Sequence, residues 1–259
     1  MNTDLHVAII QTHLVWENPE ANRVHFESKI NSIKKPCDLI VLPEMFTTGF
    51  TMNAAAVAES MTGKTVAWLK KMAKEKQAAI TGSVVIAENN QYYNRMLFVC
   101  PNGTVHIYNK RHSFSLVGEE KVFTSGKEQV VVAYKNWKLC LQICYDLRFP
   151  VWSRNTTDYD ALIYVANWPK PRIAAWDALL KARAIENMCY CIGVNRVGED
   201  EAQNDYSGHS TVYDVLGNNI SPIRPHKDHI EIVTLDKKHL ARYREKLNFL
   251  SDRDRFKIM

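Results

Sequence analysis

The order of apolar runs restricts the fold of this chain more than any other feature. "LHVAIIQT" near the start is strand-like, and "NPEANRVHFESKINSIKK" after it is helical, with Asn18 placed to cap the helix and Pro19 at its first position. Val24, Ile30 and Ile33, with Phe26 beside them, form its expected apolar stripe. "DLIVLPEMF" is short and almost continuously apolar, as a strand buried on both faces should be. "KTVAWLKKMAKEKQ" is helical again, and "AAITGSVVIAE" is again a strand. A β-rich middle follows in "RMLFVCP", "TVHIYNK" and "QVVVAYKNWKLCLQICYD", with hairpin turns expected at Pro101-Asn102-Gly103 and Lys135-Asn136-Trp137. "ALIYVANWP" is another buried strand. The helix "RIAAWDALLKARAIENM" carries Ile173, Trp176, Leu180 and Ala184 on one face. Further strands and a last helix capped by Asp236 complete the chain.

No linker rich in Gly, Pro or Ser and no repeat of fixed period divides this order. The expectation is one α/β domain over residues 1–259, its mixed sheets covered by helices on the outer faces, with a tail at about 248–259 packing on a partner.

Composition excludes several classes of function. The net charge is +5, and the densest basic groups ("KKMAKEK", "RYREK", "SDRDRFK") are interleaved with acids, which marks solvated faces rather than a nucleic-acid surface. No apolar run approaches the ~18 residues of a membrane span. The start lacks the basic region of a signal peptide, so a cytoplasmic protein is expected. Its six cysteines (37, 100, 140, 144, 189, 191) then read as free thiols, without metal-site spacing. Cys140 and Cys144, four apart, are expected on one strand face, as are Cys189 and Cys191. "TGKT" at 62–65 lacks the earlier glycine of a phosphate loop, Ala58 standing in its place.

Three polar residues share one kind of position. Glu44 follows "LIVLP", Lys110 follows "VHIYN" and Cys144 follows "LCLQI", each at the C-terminal end of an apolar strand, the sheet edge where α/β folds bind ligands. Together they form a chemically sufficient set. The carboxylate can take the thiol proton as sulfur attacks, return a proton to a leaving amine and then activate water. The ammonium can stabilise a tetrahedral oxyanion together with a backbone N–H, for which Tyr145, next to the thiol, is the candidate. Glu119 and Glu120, in the loop after Lys110, offer a second carboxylate to balance the lysine. A Cys-His pair using His209 is the competing arrangement, although a structural hydrogen bond is the favoured role for that histidine.

"LPEMF", "NKRHSF" and "ICYDLRFP", in this order, resemble the three signature segments of the nitrilase (carbon–nitrogen hydrolase) superfamily, and "ANWP", "WDALLKARAIEN" and "GHSTVYDVLG" extend the resemblance over nearly the whole chain. It implies a four-layer α-β-β-α sandwich, a homodimer into which the C-terminal tail crosses, and no metal or organic cofactor. It also implies a Glu–Lys–Cys catalytic set at Glu44, Lys110 and Cys144, with Glu119, better matched than Glu120, as the supporting glutamate. Similarity is greatest to the omega-amidases, which hydrolyse the terminal amide of 2-oxoglutaramate and 2-oxosuccinamate. Other activities of the superfamily (deaminated-peptide amidase, N-carbamoyl amide hydrolase, nitrilase) and a catalytically silent binding member are the alternatives. A substrate carrying a carboxylate needs a cation in the pocket. Lys170 and Arg172 are the candidates, with Arg148 expected instead to pair with an acid at the elbow and Asp146 to hold the turn. Phe50, Tyr145 and Trp168 are expected as walls.

Overall fold

The structure is a computed structural model that describes residues 3–258. In chain order it runs β1 (Leu5–Gln11), α1 (Pro19–Ser32), β2 (Leu39–Val41), α2 (Ala54–Val57), α3 (Lys64–Lys76), β3 (Ala79–Glu88), β4 (Gln91–Val99) and β5 (Val105–Asn109). It continues with β6 (Val131–Tyr134), β7 (Trp137–Ile143), α4 (Pro150–Ser153), β8 (Ala161–Ala166), α5 (Ile173–Glu186) and β9 (Tyr190–Asn195). The short β10 (Val197–Glu199), β11 (Asp205–Ser207) and β12 (Thr211–Tyr213) precede β13 (His229–Leu235) and α6 (Lys237–Leu247).

Among the described residues two large sheets form, one of six strands in the order β13-β1-β2-β3-β4-β5 and one of five in the order β12-β9-β8-β7-β6, and β10 and β11 pair in a separate two-stranded ribbon. Each large sheet has a parallel centre (β1–β2–β3; β7–β8–β9) and antiparallel flanks. The two-residue period of a strand then fixes the layers. In β1, Leu5, Val7 and Ile9 pack in one core with Leu139, Leu141, Ile163 and Val165 of the second sheet, while Ala8 and Ile10 turn to a different core with Phe26 of α1 and Leu69 of α3. In the second sheet Cys140, Leu162 and Tyr164 point the other way, onto Trp176, Leu180 and Ala184 of α5. Helix, sheet, sheet and helix are therefore stacked in the expected four layers. Contact on the α5 side is so close that a Cβ on Gly193 would lie 2.4 Å from Leu180 Cδ1.

Local signals act as the sequence implies. Asn18 Oδ1 accepts from Ala21 N at 3.0 Å, and Asp236 caps α6 by accepting from Lys238 N and His239 N. Lys135 and Asn136, at φ 47° and 65°, form the two-residue turn between β6 and β7. The stripe on α1 differs from expectation. Its buried residues are Asn22, Phe26 and Ile30, four apart, whereas Val24 is 68% exposed because two residues turn a helix by ~200° away from that face. Asn22 is tolerated inside because its amide donates to Val15 O and Thr47 O, fastening two loops to the helix. The tail makes a short helical turn at Phe249–Asp252 and is tied to the body by Arg253 and Asp158 at 2.8 Å; Met259, its last residue, lies outside the described residues. Among the described residues no helix is long and apolar enough to cross a membrane.

Candidate active site

Glu44 lies just beyond β2 and Lys110 directly after β5, both in the six-stranded sheet; Cys144 directly follows β7 of the other. The site is thus a product of how the two sheets stack. Lys110 Nζ is 3.0 Å from Glu44 Oε1 and 2.9 and 3.0 Å from the two oxygens of Glu119, and all three side chains are buried. Glu120, the other candidate, is exposed. The backbone of Lys110 is pinned between Asn94 O, which accepts its N–H, and Gly126 N, which donates to its carbonyl. A Cβ on Gly126 would come 2.1 Å from Asn109 O, so only glycine permits that approach.

Two residues without an assigned role in the sequence complete the cluster. Asn94 Nδ2 donates to Glu44 Oε1 at 2.8 Å. Asn167, just after β8, donates its backbone N–H to Glu44 Oε2 and its Nδ2 to Glu44 O, at 2.8 and 2.7 Å. Glu44 therefore accepts from three N–H donors on its carboxylate, the pattern of an ionised acceptor. Asn94 lies within a strand, where an asparagine gives no signal until pairing is known. Asn167 stands inside the "ANWP" segment.

Electrostatics follow from burial and crowding. Burial pulls the Lys110 ammonium down, but Glu119 and Glu44 together outweigh it and hold its pKa above the ordinary lysine value. Glu119 is pushed up by burial and by Glu44, against the pull of Lys110. The Cys144 thiol is raised well above its ordinary range by burial first and Glu44 second, Lys110 opposing. Burial and Glu44 thus favour the thiol over the thiolate, so that attack by sulfur calls for a base beside it.

Cys144 does not extend β7. The strand ends at Ile143, and Cys144 adopts a left-handed φ of 43° at the start of a short 3₁₀ turn, Cys144–Arg148. It therefore lies outside the strand that carries Cys140, although both border the apolar cluster under α5. A non-glycine residue in that conformation costs about 1–3 kcal/mol and persists only where its surroundings enforce it. Asp146 supplies part of that enforcement, its Oδ2 accepting from Ile143 N at 3.0 Å; it holds the turn as expected.

Glu44, Lys110, Cys144, Tyr145, Phe50, Trp168 and Arg172 all line one cavity of about 80 Å³. That is space for roughly six water-sized groups. Phe50 faces Lys110 Nζ at 5.1 Å. Lys170 corrects the expectation: it pairs with Asp205 at 2.8 Å on the exposed surface and does not line the cavity. The cause is the 3₁₀ turn at Lys170–Arg172, which at three residues per turn sends positions two apart to different sides. Arg148 corrects it in the other direction. No acid pairs with it among the described residues; its guanidinium lies 4.9 Å over Trp168, at the cavity wall. Arg172 lies 5.1 Å over Phe114, likewise without an acid partner among the described residues. Asn204 and Tyr206 close the wall from the β10–β11 ribbon. His209 is held by Asp177 at 2.9 Å, the structural bond favoured for it, and is not part of the cavity.

Residues 6–245 match the carbon-nitrogen hydrolase family. The chain is 43% identical over 255 residues to the omega-amidase YafV of Yersinia enterocolitica, covering 98% of this chain and 99% of that one. It is 35% identical over 216 residues to the 2-oxoglutaramate amidase of Bacillus subtilis (strain 168), covering 82% and 83%. A crystal structure of a carbon-nitrogen hydrolase superfamily protein from Xanthomonas campestris, with an arsenic adduct in its active site, matches with a TM-score of 0.96 and 38% identity over 99% of both chains.

Proposed function

The chain belongs to the carbon-nitrogen hydrolase family and is a hydrolase of carbon–nitrogen bonds; from that premise we propose that it is an omega-amidase, releasing ammonia from the terminal amide of small 2-oxo dicarboxylic monoamides such as 2-oxoglutaramate and 2-oxosuccinamate. One observation carries the reading: a strand-end cysteine, a buried carboxylate and a buried lysine share a small cavity whose wall holds two arginines without acid partners among the described residues.

In the proposed mechanism Cys144 Sγ attacks the amide carbonyl carbon as its proton passes to Glu44. The oxyanion is met by Lys110 Nζ and the Tyr145 N–H. Glu119 keeps Lys110 charged and aimed. The intermediate collapses with cleavage of the C–N bond, Glu44 returning the proton to the departing ammonia and leaving a thioester on Cys144. Water then attacks the thioester with Glu44 as base, releasing the acid and restoring the thiol. Arg172, with Arg148 beside it, receives the distal carboxylate, and Phe50, Tyr145 and Trp168 wall the pocket. The working form is proposed to be a cytoplasmic homodimer; the exposed apolar side chains of Phe249, Phe256 and Ile258 on the tail support the association.

An ammonia-release screen over 2-oxo acid amides, N-carbamoyl amino acids and simple nitriles tests the substrate class. Turnover of 2-oxoglutaramate well above the other classes is expected. Preference for a carbamoyl amide or a nitrile would replace the omega-amidase reading with another activity of the family.

A further inference from the structure

Two sheets that meet through apolar side chains make no backbone ladder with each other, so polar locks must fix their register. One is Asn167, which ties the end of β8 to Glu44. A second joins Lys110 to Cys144. Asp146 is fully buried, and its carboxylate accepts four hydrogen bonds. Oδ2 takes Ile143 N at 3.0 Å, immediately before Cys144, and Tyr108 Oη at 2.7 Å, two residues before Lys110. Oδ1 takes His112 N at 3.0 Å and His112 Nδ1 at 2.8 Å, two residues after Lys110. A carboxylate only accepts, so Nδ1 of His112 carries the hydrogen.

Resting on the Glu44–Lys110–Cys144 mechanism, we propose that Asp146, His112 and Tyr108 are positioning residues that hold the lysine segment and the cysteine elbow in one register. None of the three lines the reaction cavity, so each acts through the groups it holds. The left-handed Cys144 needs such over-determination. His112 also stacks on Phe149, with ring centroids 3.7 Å apart at 4°, and a packing role is the competing explanation.

Two substitutions separate the two roles. His112→Asn retains an N–H near the position of Nδ1 but loses the stack; His112→Phe retains the stack but loses the donor. The readouts are kcat and KM for ammonia release from 2-oxoglutaramate and the rate of Cys144 alkylation by iodoacetamide, with the melting temperature as a check on folding. His112→Asn is expected within about threefold of the parent, and His112→Phe to lose roughly 10- to 100-fold in kcat with KM nearly unchanged and alkylation slowed alongside. Tyr108→Phe, almost isosteric, tests the other oxygen independently, with a loss of about tenfold in kcat expected. Full activity in His112→Phe or Tyr108→Phe, or equal losses in both His112 variants, would overturn the proposal. Alkylation needs no substrate. If the parent protein released no ammonia from any amide, the functional reading would fail while the alkylation rates still decided the positioning role.

Discussion

The cavity is bordered by two kinds of cation, held in opposite ways. Lys110 is buried and locked at 2.9–3.0 Å by two carboxylates, themselves held by Asn94, Asn167 and the Phe114 N–H. Arg148 and Arg172 lie over aromatic rings at 4.9 and 5.1 Å, without an acid partner among the described residues. A charge neutralised on every side is fixed in place and is suited to a transition state that recurs whatever the substrate. A guanidinium supported only by a ring face keeps its fork of N–H donors for an incoming carboxylate. On the proposed mechanism the contrast separates bond-making from recognition.

Lys110→Met should produce the largest effect. It leaves two buried carboxylates without their counter-charge, which costs about 3–5 kcal/mol of stability. Ammonia release should fall at least roughly 10³-fold. Denaturant unfolding and steady-state kinetics read the two effects. Near-parental activity would erase the distinction between the regions. Arg172→Ala should act differently, raising KM for a carboxylate-bearing amide about 10- to 100-fold with kcat changed only a few-fold. Arg148→Ala should do the same more weakly, since its side chain is the more exposed. A fall in kcat with constant KM at either arginine would move it into the bond-making group.

The smallest signal is a titration. Because burial and Glu44 raise the Cys144 thiol, its proton is retained in the folded chain as pH climbs through the ordinary thiol value of ~8.5. Thiolate ultraviolet absorbance attributable to Cys144, taken as the parent minus Cys144→Ala, should stay absent up to about pH 9. A step near neutrality would contradict the thiol-plus-base arrangement. The same sign makes Cys144 lower the stability only above that range, where the unfolded chain releases a proton that the folded chain keeps.

What the sequence reveals follows from the range of each interaction. The caps at Asn18 and Asp236 are local and stand in the sequence. So are the continuous apolar runs that make two-sided strands. Glu44, Lys110 and Cys144 are legible because each ends such a run, although nothing local shows that Lys110 and Glu44, 66 residues apart, come within hydrogen-bond distance. The resemblance favours Glu119 over Glu120, and the fold supplies the physical reason: adjacent residues in a helical turn diverge by ~120° and only one can face inward. Asn94 and Asn167, 50 and 123 residues from Glu44, are set by strand register and sheet stacking, which no single segment encodes. Arg148 departs from the expected ion pair for the same reason. An arginine near an acid in sequence reads as an ion pair, but the turn aims Asp146 inward and leaves the guanidinium on Trp168.

The central claim is that Cys144 forms the bond to substrate. Ammonia release from 2-oxoglutaramate by Cys144→Ser tests it most directly. Loss of at least roughly 10³-fold with the melting temperature preserved is predicted. Turnover within about tenfold of the parent protein would contradict it.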